Sequence, residues 1–76
     1  MAFDYSKLRG KIREIFKTQQ LFADAMGMSS TSLSDKLNNH VEFSQKEIEK
    51  AVELLRIEKE DIPVYFFTLE VQVLEL

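Results

Sequence analysis

The sequence contains no cysteine, a single histidine, two glycines and one proline. Without cysteine the chain has no disulfide, no thiolate nucleophile and no cysteine-based zinc site, and one histidine rules out a multi-histidine metal site. The sequence also has no nucleophile–base set, no paired carboxylates placed for acid–base chemistry and no glycine-rich phosphate loop. These absences predict a protein that is not an enzyme and that takes no cofactor, metal or small-molecule substrate.

Long hydrophobic runs are also missing. No apolar stretch approaches the ~20 residues of a transmembrane helix, and residues 1–11 include Asp4 and have no hydrophobic signal core. We therefore expect no membrane association and a location in the reducing cytoplasm. A chain of 76 residues forms one small domain with a marginal core, because it buries only about 60–65% of its unfolded surface.

The formal net charge of −3 is unevenly distributed along the chain. Residues 1–40 carry six basic and four acidic side chains, whereas residues 41–76 carry four basic and nine acidic ones. A basic half followed by an acidic half suits a protein that presents one face to phosphate. Because the positive charge is small, non-specific affinity for nucleic acid should be modest and strongly salt-dependent.

Residues 18–40 carry the strongest pattern, two short amphipathic helices joined by a tight turn. Thr18 can cap the first helix and Ser29 the second, and Gly27 stands where the chain needs a positive φ between them. The apolar residues of the two helices are Leu21, Phe22, Ala25, Met26, Leu33 and Leu37. This arrangement predicts a helix-turn-helix, whose second helix has the size of a DNA major groove.

Three further helices are predicted over residues 6–16, from residue 45 onward and over about 59–67. Ser6 is the predicted cap of the first of these, and Gly10 inside it costs about 1 kcal/mol relative to alanine, for which close approach of a neighbouring helix is one explanation. Ser44 and Glu47 form a capping box at the second. Pro63 is acceptable only in the first turn of the third.

Residues 68–76, TLEVQVLEL, alternate apolar and polar side chains with the periodicity of a strand. The rest of the chain offers no second strand with which this segment can pair. It can pair with the same segment of a second subunit, fold back on the helices or fray. The predicted organisation is a helical domain over residues 1–67 and an extended C-terminal tail over 68–76, a candidate dimerisation strand.

Over about residues 5–67 the chain resembles the phage repressor and Cro group of helix-turn-helix proteins, the lambda-repressor-like DNA-binding family. The matching residues are Thr18, Gln19, Ala23, Gly27, Met28, Ser29, Leu33, Leu37, Asn38 and Asn39. The family usually has glycine where this chain has Asn39, and asparagine is the next-best residue for left-handed backbone. The resemblance implies an all-α, five-helix lambda-repressor-like domain that acts as a small phage or prophage transcriptional regulator. It also implies a homodimer on a palindromic operator in double-stranded DNA.

If the helix-turn-helix binds DNA, the outward face of its second helix supplies the base contacts. The candidates for base contacts are Ser30, Thr31, Ser32 and Asp35. The candidates for contacts to the DNA backbone are Lys17, Gln19, Gln20, Lys36, Asn38, Asn39 and His40. The resemblance places Gln19 where the family holds a phosphate at a helix N-terminus. The alternative is an ordinary solvated helix surface, with Asn39 serving mainly as a cap.

A second hypothesis belongs to a different functional class. The second helix of the pair carries no arginine and no glutamine, so it lacks the side chains that read bases through two hydrogen bonds at once. The distal half is acidic and the tail is apolar. These features are also typical of a protein-interaction module, such as an antirepressor or antitoxin-like partner with a vestigial helix-turn-helix. A salt-dependent DNA titration separates the two hypotheses.

Overall fold

The computed structural model describes residues 2–70, which form five α-helices and one 3-10 turn. The elements are α1 (Ser6–Phe16), α2 (Gln19–Met26), α3 (Ser30–Leu37), α4 (Gln45–Leu55), the 3-10 turn Lys59–Asp61 and α5 (Ile62–Phe66). The predicted all-α fold with five helices is thereby confirmed. No helix in this part of the chain is both long and apolar enough to span a bilayer.

The predicted caps begin three of the helices. Thr18 Oγ1 accepts a hydrogen bond from the Leu21 N–H at 3.1 Å, and Ser29 caps α3 in the same way. At α4 the Ser44 hydroxyl accepts from the Glu47 N–H at 3.1 Å, while the Glu47 carboxylate accepts from the Ser44 N–H at 2.8 Å. The capping box is therefore complete, and it fixes where α4 starts.

The start of α1 differs from the prediction that Ser6 caps it. Ser6 is the first residue of the helix, and the N-cap is Tyr5, whose side chain makes no capping hydrogen bond. Asp4 supplies the acceptor instead, because its carboxylate binds the Ser6 N–H at 2.9 Å. A Ser6 cap would make residue 7 the first helical residue, so the helix begins one residue earlier than predicted. Tyr5 itself is buried, with its ring edge-on to Phe43 at 5.5 Å between centroids.

The core lies where α1, α2, α4 and α5 meet, and α3 packs against α2. Its buried residues are Tyr5, Leu8, Ile12, Phe22, Ala23, Met26, Leu33, Leu37, Ala51, Leu55, Ile57 and Phe66. Leu21, which the periodicity places on the apolar face of α2, is instead 51% exposed. Phe22, Ala23 and Met26 form the buried stripe of α2. Leu21 lies about 200° around the helix from Ala23, so it faces outward.

The predicted helix over 59–67 is divided into two parts. The 3-10 turn Lys59–Asp61 comes first, and α-helical geometry begins at Ile62, with Pro63 in the first turn of α5. Proline has no N–H and disfavours helical backbone in the residue before it. A single α-helix through this segment would lack one backbone hydrogen bond, because Pro63 has no N–H to donate. The chain therefore starts a new helix at Ile62, with Pro63 in its first turn.

The beginning of the predicted tail pairs with the N-terminal segment of the same chain. Leu69 and Phe3 form an antiparallel bridge, flanked by hydrogen bonds from the Asp4 N–H to the Thr68 carbonyl at 2.7 Å and from the Glu70 N–H to the Ala2 carbonyl at 3.0 Å. The prediction that the tail has no partner strand in its own chain is therefore wrong for residues 68–70. We call residues 2–4 and 68–70 the terminal pair. The proposed dimerisation strand continues into residues 71–76, which lie outside the described residues.

Gly10 provides a test of the helix-propensity argument. A Cβ placed at Gly10 would have no heavy atom within 4 Å, so close approach of a neighbouring helix does not explain this glycine. We expect Gly10→Ala to raise the free energy of unfolding by about 0.5–1 kcal/mol, because alanine loses less backbone entropy on folding. Urea titration measures the change. Gly27→Ala is the matched control and should destabilise, because Gly27 has φ of 75°; a lower midpoint for Gly10→Ala would contradict the prediction.

Candidate interface around the third helix

The outward side of α3 carries the four residues predicted to contact bases, Ser30, Thr31, Ser32 and Asp35, which we call the α3 face. Thr31 and Ser32 are exposed, while Ser30 and Asp35 are partly buried. Leu33 and Leu37 are fully buried on the opposite side, so the helical periodicity predicted this face correctly. The α3 face offers hydroxyl groups and one carboxylate, and no cationic side chain belongs to it.

Hydrogen bonds to α2 and at the start of α3 already occupy part of this face. The Ser30 hydroxyl donates to the Gln20 side-chain oxygen, and the Gln20 amide donates to the Asp24 carboxylate at 3.0 Å. The hydroxyls of Ser29 and Ser32 lie 3.0 Å apart in a hydrogen bond. Ser30 and Gln20, one predicted base contact and one predicted backbone contact, are therefore brought together as partners of each other.

The charged side chains on and beside α3 give its surface no excess of positive charge. The Lys36 side chain is only 12% exposed, and its Nζ lies 3.4 Å from a Glu47 carboxylate oxygen on α4. The Asp35 carboxylate lies 3.5 Å from Nδ1 of His40, an exposed residue in the following loop. Asp24 on α2 is also exposed. The lysine of α3 is thus neutralised by α4, and two carboxylates remain near the surface.

Asn38 ends α3 and is tied to α1. Its side-chain oxygen accepts from Arg9 Nη2 at 2.9 Å, and the same nitrogen donates to the Leu37 carbonyl at 3.2 Å. The Asn38 amide donates in turn to the Ser34 hydroxyl at 3.3 Å. The Arg9 guanidinium therefore satisfies carbonyl groups at the C-terminal end of α3, where a cation is also favoured by the helix dipole.

Asn39 connects the end of α3 to the terminal pair. Its side-chain oxygen accepts from the Phe3 N–H and its amide donates to the Phe3 carbonyl, both at 2.9 Å. The residue has φ of 64°, and its own N–H donates to the Lys36 carbonyl at 3.1 Å. These contacts agree with the alternative interpretation of Asn39 as a cap. The bonds to Phe3, which we call the Asn39 clip, were not visible in the sequence, because no local pattern pairs residues 36 apart.

Two predicted backbone contacts, Lys17 and Gln19, lie apart from α3. They line a depression of about 150 Å³ at the start of α2, together with Arg9, Arg13 and Thr18. Gln19 is partly buried, and the exposed Lys17 reaches the Glu14 carbonyl at 3.5 Å. The depression gathers cationic side chains beside a helix N-terminus, an arrangement that is typical of sites that attract anions.

The Glu47 carboxyl links the capping box of α4 to α3. Burial raises its pKa, but the Ser44 N–H hydrogen bond and the neighbouring Lys36 ammonium outweigh that effect and hold the pKa below the usual range. Glu47 is therefore stabilised in its charged form in the folded protein. Within residues 2–70, no three His, Asp or Glu side chains are placed to hold a metal ion together.

This arrangement predicts acid destabilisation. A carboxyl whose folded pKa is lowered stabilises the fold above its unfolded pKa, and that contribution is lost as the pH falls through the folded pKa. The ordinary pKa of a glutamate carboxyl is about 4.5. The free energy of unfolding should therefore decrease as the pH falls below that pKa. Glu47→Gln retains the hydrogen bond of the capping box and removes the charge. Urea titrations from pH 7 to pH 3 should give a shallower decline for this variant, and equal slopes would contradict the assignment.

A second surface feature lies next to α3 and was not identified from the sequence. Phe3, Tyr5, Val41, Phe43, Phe66 and Phe67 line a groove of about 260 Å³, which we call the aromatic groove. Ile48 also lines it, and Asn39 and Glu42 form its wall beside the end of α3. The sequence does not reveal this groove, because the positions of these aromatic residues along the chain do not indicate which of them meet at the surface.

Comparison with known proteins identifies a family model and similar proteins of known structure. A family model described as "Protein of unknown function (DUF739)" matches residues 1–69. The chain is also similar to a protein of known solution structure, the modulator of repression (MOR) of the temperate bacteriophage TP901-1 from Lactococcus lactis. The two share 49% sequence identity and a TM-score of 0.78, over 95% of this chain and 97% of the other. No curated protein sequence gives a significant match.

Proposed function

We propose that this chain, which belongs to the DUF739 family, is a phage regulator that acts by binding a repressor protein. The similar protein is a modulator of repression from a temperate phage, and the similarity extends over nearly the full length of both chains. The proposal favours the protein-interaction hypothesis over direct operator reading. It places the chain in a genetic switch as a partner of the DNA-binding protein.

The charge around α3 carries this proposal. Protein affinity for duplex DNA comes largely from lysine and arginine side chains that neutralise phosphates. Lys36 is the only cationic residue of α3, and it is paired with Glu47. Asp24 and Asp35 add negative charge beside the helix that would enter the groove. A DNA-binding repressor has a basic surface, so it suits these surroundings better than a phosphate backbone does.

The test is a titration of the purified chain with the repressor of the phage or prophage that carries it. We expect a complex of micromolar or tighter affinity by isothermal titration calorimetry, and a changed occupancy of the repressor on its operator. The control titrates the chain with operator duplex alone at low and at physiological salt. Binding to the duplex at physiological salt, without binding to the repressor, would contradict the proposal.

Direct operator binding by a lambda-repressor-like homodimer remains the second candidate. Two observations favour it: Thr31 and Ser32 are exposed on α3, and Gln19 lies in the cationic depression at the start of α2. In this second function, α3 would enter the major groove and Gln19 would hold a phosphate. Palindromic operator and homodimer both belong to this candidate.

Two substitutions separate the candidates. If the chain reads DNA, Thr31→Ala should cost about 1–3 kcal/mol on the preferred duplex and relax one base position, while Gln19→Ala should weaken binding to all sequences. Fluorescence anisotropy with duplexes enriched from a random pool measures both effects. If the chain acts through a repressor, Gln19→Ala should leave the affinity for that protein unchanged. Unchanged duplex binding by both folded variants would exclude the DNA-reading assignment.

A further inference from the structure

We propose that the aromatic groove is the docking surface for the repressor, and that it receives an apolar segment of that protein carrying lysine or arginine. The inference rests on the proposed function and specifies where the partner binds. The groove adjoins the end of α3, since Asn39 and Glu42 form part of its wall. It therefore lies next to the helix whose own exposed face is polar.

The exposed apolar side chains of the groove provide a source of affinity that the α3 face lacks. Phe67 is 51% exposed and Val41 is 49% exposed. The ring of Phe3 packs edge-on against Phe67, with 5.9 Å between their centroids, so Phe67 is held in place before a partner arrives. Binding energy in protein interfaces is concentrated in a few well-packed residues, often aromatic, whereas exposed hydroxyl groups contribute little. Affinity for a protein should therefore come from the groove.

The groove has a volume of about 260 Å³, near the lower end of the range for small-molecule sites, which is about 300–1,000 Å³. That space suits a few side chains presented by a partner. Its lining is mainly aromatic and aliphatic, so the inserted side chains should be apolar.

The charge of the groove indicates the charge of the partner segment. Among residues 2–70, Glu42 is the only charged residue that lines it. Burial and, after it, the negative charge of Glu42 raise the pKa of Tyr5, so the field of this carboxylate extends into the groove. Of the described residues, the adjoining depression contains Asp4 and Glu70, together with Arg9, which is already bound to the end of α3. A positively charged segment is the complement of this surface, and a DNA-binding repressor supplies such segments.

The experiment measures binding of the full chain and its variants to the repressor by calorimetry and stopped-flow kinetics. Phe67→Ala and Val41→Ala remove apolar contacts in the groove. The control Leu21→Ala truncates a side chain on α2 that is also 51% exposed but does not line the groove. We expect about 10–100-fold weaker binding for Phe67→Ala and about 5–10-fold weaker binding for Val41→Ala. Leu21→Ala should change the affinity by less than about 2-fold.

The charge is tested separately. Glu42→Gln should slow association about 3–10-fold at low salt, and the difference should shrink as salt is added. Glu49 is an exposed residue of α4 outside the groove. Glu49→Gln is therefore the matched control, and it should leave the association rate unchanged. Circular dichroism and thermal melting verify that each variant is folded. Val41→Ala changes an exposed loop residue, so it keeps the test valid if Phe67→Ala fails to fold.

The outcomes distinguish the docking surface from the proposed function. If the wild-type chain binds the repressor and the groove variants bind as tightly as Leu21→Ala, the docking surface is wrong and the function stands. If the wild-type chain does not bind the repressor, both are overturned. An NMR titration of the isotope-labelled chain with the repressor gives a further check: amide shift changes confined to the α3 face would also overturn the groove assignment. So would a monomer–dimer equilibrium of the free chain that Phe67→Ala shifts toward monomer, because the groove would then serve a second copy.

Discussion

Phe66→Ala should lower the free energy of unfolding by about 3–5 kcal/mol. The Phe66 side chain is 1% exposed and packs edge-on against Phe43, with ring centroids 5.5 Å apart. Its removal loses the transfer free energy of a buried ring and leaves a cavity between α5 and the rest of the core. A domain of this size has a total stability of about 4–11 kcal/mol, so the loss is a large fraction of the whole.

The neighbouring residue provides the matched control. Phe67→Ala removes the same atoms from a side chain that is 51% exposed, so we expect a loss of about 1 kcal/mol or less. Urea titration of both variants, followed by circular dichroism, measures the difference. Equal destabilisation would mean that α5 is rotated relative to the described structure. If Phe66→Ala mainly lowers stability and Phe67→Ala mainly weakens repressor binding, Phe66 belongs to the core and Phe67 to the docking surface.

Asn39→Ala should cost about 2–4 kcal/mol, the second large effect. Two contributions add. The variant loses both hydrogen bonds of the Asn39 clip to Phe3, each worth about 0.5–1.5 kcal/mol. Alanine must also adopt the left-handed backbone at φ of 64°, which costs about 1 kcal/mol relative to residues that tolerate it.

A glycine at the same position separates the two contributions. Asn39→Gly accepts the positive φ but cannot form the clip, so it should cost about 1 kcal/mol less than Asn39→Ala. Urea titration gives the stabilities, and hydrogen exchange reports on the terminal pair through the N–H groups of Asp4 and Glu70. We expect faster exchange at both amides in either variant, because their partner segment is no longer fixed by Asn39. Unchanged exchange in Asn39→Ala would show that the terminal pair is held by other contacts.

The Asn39 clip also bears on the proposed docking surface. Asn39 and Phe3 both line the aromatic groove, and Phe3 holds Phe67 through their edge-on contact. The clip therefore fixes one wall of the groove relative to the end of α3. A groove that is fixed before binding loses less conformational entropy when a partner arrives, so variants that break the clip should bind the repressor more weakly while remaining folded.

The sequence alone determined the features that depend on neighbouring residues. Thr18, Ser29 and the Ser44–Glu47 box were predicted as helix starts, and Gly27 as the turn, because each capping hydrogen bond joins residues at most four positions apart. The 3.6-residue period likewise identified the buried Leu33 and Leu37 and so the outward face of α3. These features are encoded locally, and the structure contains them all.

Tertiary structure decided which distant groups meet. Three contacts join residues that are far apart in the chain: the bridge between Phe3 and Leu69, the Asn39 clip, and the ion pair of Lys36 with Glu47. Asparagine, lysine and phenylalanine each have many suitable partners, and the choice among them depends on how the helices pack. For the same reason the sequence placed Leu21 in the core and left the groove around Phe67 unrecognised. Exposure of an apolar side chain is fixed by the neighbours that cover it, and those neighbours are brought together only by the folded chain.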